Sequence, residues 1–456
     1  MPLSGELFKK RLVDLINREH PLVKLSGLID WKVFERQWSA LFKSKTGRPA
    51  TSPRLIAGLL YLQHSFACSD EELLLTWVEN PYWQYFCGEE YFCHEFPIDP
   101  SSLTRWRKRI GEEGVEWMLT ETIGAARRMK LVKEKSFDRV IIDTTVMEKA
   151  IAYPTDSQLL ECGRQHLVRL AGALQIKLRQ NYNRIFPRQV RQTGRYAHAR
   201  QYRRMKSSLK ILRTLVGRIL RDIERKLDRN NPVHIAKAAP ILDRIKKLIN
   251  QRQNDKNKLY SLHAPEVECI SKGKSRTPYE FGVKVSVAIT HKEGLVVGIR
   301  SMPGNPYDGD TLYEAIEQIG ILTDHPPKEI FVDKGYRGVE IPQITIWRSG
   351  QKRNVTPGIK KAIKRRNAIE PIIGHMKSDG RLGRNWLKGT LGDAIHAVLC
   401  GAGHNIRMIL KAIRLYFVLW ITAIMAKTNS KYQEKSQSNS TYPENSQHLL
   451  AMCWNC

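Results

Sequence analysis

Three carboxylates stand where they could act on a phosphodiester. Asp143 lies within the β-branched run Arg139-Val-Ile-Ile-Asp143-Thr-Thr-Val-Met147, Asp333 closes the run Glu329-Ile-Phe-Val-Asp333, and Glu370 falls in the first turn of a helix opening near Arg365. Two of these acids follow apolar β runs, where an unpaired carboxylate is costly. A hard divalent cation with oxygen ligands removes that cost. Mg2+ binds through few carboxylates, keeps waters and leaves room for phosphate oxygens. Two such ions can flank a phosphodiester and stabilise both the attacking and the leaving oxygen. Each acid also has a plainer role. An Asp after a strand often forms a turn, and Glu370 can act as a capping partner for Asn367 at the positive end of the helix dipole. Taken together, in strand–hairpin–strand–helix order, the three acids point to metal-dependent chemistry.

The elements that must position them follow from the hydrophobic pattern. Residues 1–130 read as a helical N-terminal domain. Leu55, Leu59, Leu60 and Leu62 follow Thr51-Ser-Pro-Arg54 at helical spacing, and Ser69 with Glu72 forms a capping box for the next helix. Asp99-Pro-Ser-Ser102 then caps a helix that carries Arg105, Arg107 and Arg109. Several short helices ending in an Arg-rich one resemble a helix-turn-helix DNA reader, against the plainer alternative of a solvated basic face. Strand signals begin after Phe137 and resume at Phe281–Thr290 and Leu295–Arg300, joined by the short loop His291-Lys-Glu-Gly294. A helix is expected around Thr311–Ile321. These elements assign 135–162 and 261–426 to an α/β core with a mixed sheet and helices.

Between them, residues 163–260 hold 26 Lys and Arg against 5 Asp and Glu. Met205, Leu209, Leu212, Val216, Ile219 and Ile223 follow alternating steps of four and three, and Ile241, Ile245 and Leu248 supply a return stripe after Asn230-Asn-Pro232. The pattern predicts a basic helical hairpin inserted into the core, its outside including Arg203, Arg204 and Lys210. The competing account is a dimerising coiled coil. From Lys427 the chain is polar as far as His448, and 427–456 is expected to be a disordered tail.

The whole chain of 456 residues carries a formal charge of +30. A basic balance of this size over a globular chain points to a polyanionic partner, nucleic acid before an anionic membrane surface. The longest uncharged apolar run, Leu415–Ala426, is too short for a bilayer, which needs about 20 residues. With no apolar stretch of a secretory signal near the start, the expectation is a soluble, intracellular protein that does not enter the membrane. The 8 cysteines show no repeated pair, and Cys453-Trp-Asn-Cys456 lacks a second half for a four-ligand zinc site.

The arrangement of Asp143, Asp333 and Glu370 resembles the DDE transposases of bacterial insertion sequences, which have a ribonuclease-H-like catalytic core. Arg366, Glu370 and Lys377 match the spacing of the Tyr-Arg-Glu-Lys signature of the group related to insertion sequences four and five. The Tyr slot falls on Ile363, a departure that favours the five-like branch. IDTTV, YPTDSQLL, MPGNPYDGDTL, VDKGYRG and NAIEPIIGHMKSDGRLGRNWLKG look like that branch, as does the N-terminal block from Gly47 to about Gly114. The resemblance covers most of residues 30–410. It implies two Mg2+ ions, with Mn2+ as a substitute, held by Asp143, Asp333 and Glu370. It implies cleavage of transposon-end DNA and strand transfer into target DNA, with Arg366 and Lys377 on DNA phosphates. Asp156, Asp308, Asp310, His375, Arg381 and Arg384 are lesser candidates for supporting or phosphate contacts. Double-stranded DNA, a homodimer or higher oligomer on that DNA, and a cytoplasmic, nucleoid-associated bacterial location are implied with it. A metal-dependent nuclease that cuts without joining, a non-catalytic DNA-binding derivative and an RNA-binding helical protein are the alternatives.

Overall fold

The computed structural model describes residues 10–41, 51–228, 230–252, 254–271 and 278–438. Gly47, Cys453 and Cys456 lie outside the described residues. Short helices α1 (Leu12–Leu15), α2 (Pro21–Leu28) and α3 (Lys32–Gln37) precede α4 (Pro53–Phe66), α5 (Asp70–Glu79), α6 (Pro81–Cys87) and α7 (Pro100–Arg128). Both halves of the Ser69–Glu72 capping box are made, and Asp99 caps α7 through the Ser101 amide. Helix α7 breaks at Gly111, whose φ of 71° is a conformation that a side chain disfavours.

The sheet begins with β1 (Arg139–Glu148). Helices α8 (Asp156–Ala173), α9 (Ile185–His198), α10 (Tyr202–Lys226) and α11 (Pro232–Asn250) intervene before β2 (Glu268–Ser271), β3 (Tyr279–Thr290) and β4 (Val296–Met302). Then come α12 (Thr311–Thr323), β5 (Glu329–Val332), β6 (Thr345–Arg348), α13 (Pro357–Arg365), α14 (Ile369–Ser378) and α15 (Gly389–Ser438). Strand β3 is antiparallel to β1, β2 and β4, while β5 is parallel to β1 and to β6, so the sheet is mixed. Its order runs β2-β3-β1-β5-β6, with β4 also on β3.

Packing departs from the expected layout in three ways. First, the N-terminal helices share one continuous core with the sheet. Leu25, Phe34, Leu60, Trp77 and Met118 belong to the same buried cluster as Ile142, Val287, Phe331 and Val398. The link is α15, which packs on α4, α7 and β4. Gly403 of α15 makes the α4 approach possible, because a Cβ there would come within 2.5 Å of the His64 carbonyl oxygen.

Second, the inserted helices form a bundle rather than a two-helix hairpin. Helix α10 packs chiefly on α8 and α9, and α11 chiefly on α8. The seam residues Leu209, Leu212, Val216, Ile219 and Ile223 are buried as expected, but against Leu160, Leu167 and Phe186 as well as Ile245 and Leu248. Leu159, Leu160 and Leu262 join this second core, so it begins within α8, ahead of Gly163. A seam pattern tells which face is buried, not which helix covers it.

Third, the polar stretch after Lys427 continues α15 as far as Ser438. Its Lys, Gln and Glu residues are good helix formers, and extending a helix already nucleated is easy. Residues 439–456 of the expected tail lie outside the described residues.

Candidate active site

The sheet register brings the first two acids together. Ile141 pairs with Phe331 across the parallel β1–β5 ladder. Two residues further along each chain stand Asp143 and Asp333, and a step of two keeps a side chain on the same face. Asp143 falls inside β1 because that strand runs on to pair with β3, whereas β5 stops at Val332 and Asp333 opens a short 3-10 turn. Helix α14 delivers the third acid. Its buried Ile369, Ile373 and Met376 seat it, with packing against β1, and Glu370 lies beside that apolar face.

All three carboxylates converge on one guanidinium. Arg366 Nη2 lies 2.8 Å from Asp143 Oδ2 and 3.8 Å from Asp333 Oδ2. Its Nη1 lies 3.8 Å from Glu370 Oε1. The side chain of Arg366 is 7% exposed, Asp143 18%, Asp333 49% and Glu370 67%. The site is therefore a half-open bowl with Asp143 and Arg366 at its floor. Burial pushes the Asp143 carboxyl above its ordinary range, while Arg366 and the Thr144 amide oppose that shift.

The resemblance implies a DNA-phosphate contact for Arg366; the structure turns it inward, as the counter-charge of the three acids. Its spacing four residues before Glu370 was the available signal, since i and i+4 share a helix face. Of the lesser candidates, Asp308 stands beside the site. It accepts from Thr144 Oγ1 and from Lys284 Nζ, each at 2.9 Å. Asp156 instead pairs with Arg213 in the bundle, and His375 pairs with Asp379. Lys284 was not singled out by sequence, because a Lys in a strand carries no pattern of its own.

The basic candidates separate. Arg105 and Arg109 are exposed on α7, one turn apart. Arg107 is 4% exposed and bonds Asp70 and Gln63, so the expectation that all three Arg face a partner together fails for this one. Alternate positions on a helix cannot share a face. Arg203, Arg204 and Lys210 are exposed on α10, as are Arg218, Arg221 and Arg225. Lys377 lines a cleft of about 710 Å³ with Arg381, Arg384 and Trp386, facing the start of α5.

With the geometry in view, likeness to known proteins narrows the class. Residues 10–109 match the family described as Transposase domain (DUF772). The chain is also 48% identical over 203 residues to an uncharacterized protein, ORF8 in the nfe locus of Rhizobium meliloti, spanning 44% of this chain and 98% of that protein. No solved structure matches. Residues 10–109 are thus similar to a transposase domain. Among the described residues no helix is long and apolar enough to cross a membrane.

Proposed function

We propose that this protein is an Asp-Asp-Glu transposase that cleaves transposon-end DNA and transfers the freed strand into target DNA. The observation that carries the proposal is the convergence of Asp143, Asp333 and Glu370 on Arg366. The strand order, three antiparallel strands followed by two parallel ones, supports a ribonuclease-H-like core of the kind the sequence resemblance implies. The five-like branch of the four/five group remains part of this proposal.

The donor types suit a hard cation, although the three carboxylates each meet Arg366 and do not all lie within 4.8 Å of one another. The set offers carboxylate oxygens without thiols or imidazoles, and two of the three acids are open enough for waters and phosphate oxygens to complete a coordination shell. Asp143, Asp333 and Glu370 would hold two Mg2+ ions, or Mn2+ in their place. When bound, these supply charge stabilisation at the attacking and leaving oxygens of an in-line displacement. Arg366 opposes the effect of burial on Asp143 and so favours its ionised form. Lys377 and the exposed Arg105, Arg109, Arg203, Arg204 and Lys210 engage DNA phosphates, which position the duplex without reading its sequence. No Ser or Tyr nucleophile is needed, because water and then a 3′-OH attack phosphorus directly.

The test is an end-cleavage and strand-transfer assay with the element's own terminal DNA and Mg2+. Asp143→Asn, Asp333→Asn and Glu370→Gln should each abolish cleavage while end binding persists. Cleavage by any of these variants at the parental rate would remove that residue from the site. Cleavage without joined product in the parent would favour a nuclease.

A further inference from the structure

We propose that His64, His396 and Cys400 form a second metal site, binding a zinc ion that ties α4 to α15. His64 lies on α4, and His396 and Cys400 lie one turn apart on α15. Each offers one ligand atom, and the three atoms all lie within 4.8 Å of one another. All three side chains are buried, and none belongs to the carboxylate site. Zinc bonds of about 2.0–2.3 Å bring tetrahedral ligands to roughly 3.3–3.8 Å apart, so modest side-chain rotation closes the set.

The hydrogen bonds orient both imidazoles for this role. His64 Nδ1 lies 3.1 Å from the Leu60 carbonyl oxygen, and His396 Nε2 lies 3.0 Å from the Arg381 carbonyl oxygen. A nitrogen that faces a carbonyl carries the proton, which leaves the other nitrogen with its lone pair. Metal-bound histidines are held in this way, with the far N–H donated to a backbone carbonyl. His64 Nε2, the nitrogen left over, is buried and has no hydrogen-bond partner. A buried polar atom without a partner is uncommon and costly, and a cation would satisfy it.

The surroundings bear on which cation fits. His64 and His396 are buried, and each turns one ring nitrogen to a backbone carbonyl, which leaves the other free to act as a neutral ligand. Cys400 is fully buried, with the Arg381 and Arg407 guanidiniums near its thiol. These guanidiniums oppose a bare dication but favour the thiolate that remains when a dication displaces the thiol proton. A set of two imidazoles and one thiolate selects a borderline-soft ion over Mg2+. His64 and His396 also line the 710 Å³ cleft, which gives an entry path.

The test is Co2+ titration of the full chain, carrying Cys453→Ser and Cys456→Ser, in excess Mg2+ to occupy the carboxylates. One equivalent should produce tetrahedral d–d absorption with a thiolate-to-metal charge-transfer band, and Zn2+ should bleach both. Cys400→Ser should abolish the charge-transfer band, and His64→Gln or His396→Gln should weaken binding at least about tenfold. Chelation should lower the melting temperature of the parent and leave Cys400→Ser unmoved. Absence of a charge-transfer band in the chain carrying only Cys453→Ser and Cys456→Ser would overturn the proposal. So would a band that survives in Cys400→Ser.

Discussion

The Arg366 guanidinium donates to the Asp143 carboxylate at 2.8 Å across 223 positions of sequence. This pair joins the 3-10 turn before α14 to the middle of β1, and it sets the floor of the carboxylate bowl. Removing one partner of a buried ion pair leaves the other charge uncompensated. Arg366→Ala should therefore cost about 3–5 kcal/mol of stability. Arg366→Lys should cost less, because it keeps the charge but loses the planar fork. Glu370→Gln, at an exposed position, should change stability by less than about 0.5 kcal/mol. Urea unfolding of the three variants side by side checks the order.

The same logic separates the Arg residues of α7. Arg105→Ala and Arg109→Ala should weaken binding to terminal-repeat DNA with little change in stability. Arg107→Ala should cost about 3 kcal/mol, since it strands Asp70 and Gln63. Footprinting and thermal unfolding of the same variants would show whether binding and stability divide in this way. Unchanged footprints for Arg105→Ala and Arg109→Ala would return both residues to the solvated surface.

A buried ion cluster closes the two ends of the inserted bundle. Lys149, just after β1, lies 2.9 Å from Glu266, just before β2, and 2.6 Å from Asp393 on α15. All three are at most 9% exposed. Lys149→Met should destabilise the chain by about 3–5 kcal/mol, because two carboxylates lose their cation. If unfolding midpoints coincide with the parent's, the cluster contributes no net stability.

Asp393 in that cluster also predicts a pH dependence. Burial raises its carboxyl from 3.8 to about 6, against the pull of Lys149. Between these values the folded chain retains a proton that the unfolded chain releases. Its contribution to stability is therefore full below 3.8 and lost as pH rises through about 6. Asp393→Asn does not titrate. The stability difference, parent minus variant, should fall as pH rises through that window and then level off. A difference that stays flat or grows would show that Asp393 is not raised.

The bundle itself carries a separate expectation. Its core is distinct from that of the sheet, and the Lys149–Glu266 contact shows that its ends lie close together. Replacing residues 156–262 by a short linker should leave the sheet folded and weaken DNA binding. The log–log dependence of affinity on salt should become shallower as phosphate contacts at Arg203, Arg204 and Lys210 are lost. Sedimentation beside the salt titration covers the alternative. A monomer with an unchanged slope would mean that the bundle only joins subunits.

Local chemistry was legible from sequence because local rules produce it. The Ser69–Glu72 box, the Asp99 cap, the β-branched run around Asp143 and the buried stripe of α10 each depend on neighbours within a few residues. The three acids could also be picked out, since an acid within or just after an apolar strand is conspicuous and Glu370 stands in the first turn of a helix. What lay beyond the sequence was every decision made by packing between distant segments. The register of β1 on β5 puts Asp143 beside Asp333. The inward turn of Arg107 and Arg366 follows from which face of a helix meets the core, and charge alone does not show that. The single core joining the N-terminal helices to the sheet, the bundle in place of a hairpin, and the meeting of His64 with His396 and Cys400 all depend on where α15 and α8 come to rest. Those positions minimise exposed apolar area over the whole chain, a sum that no local window contains.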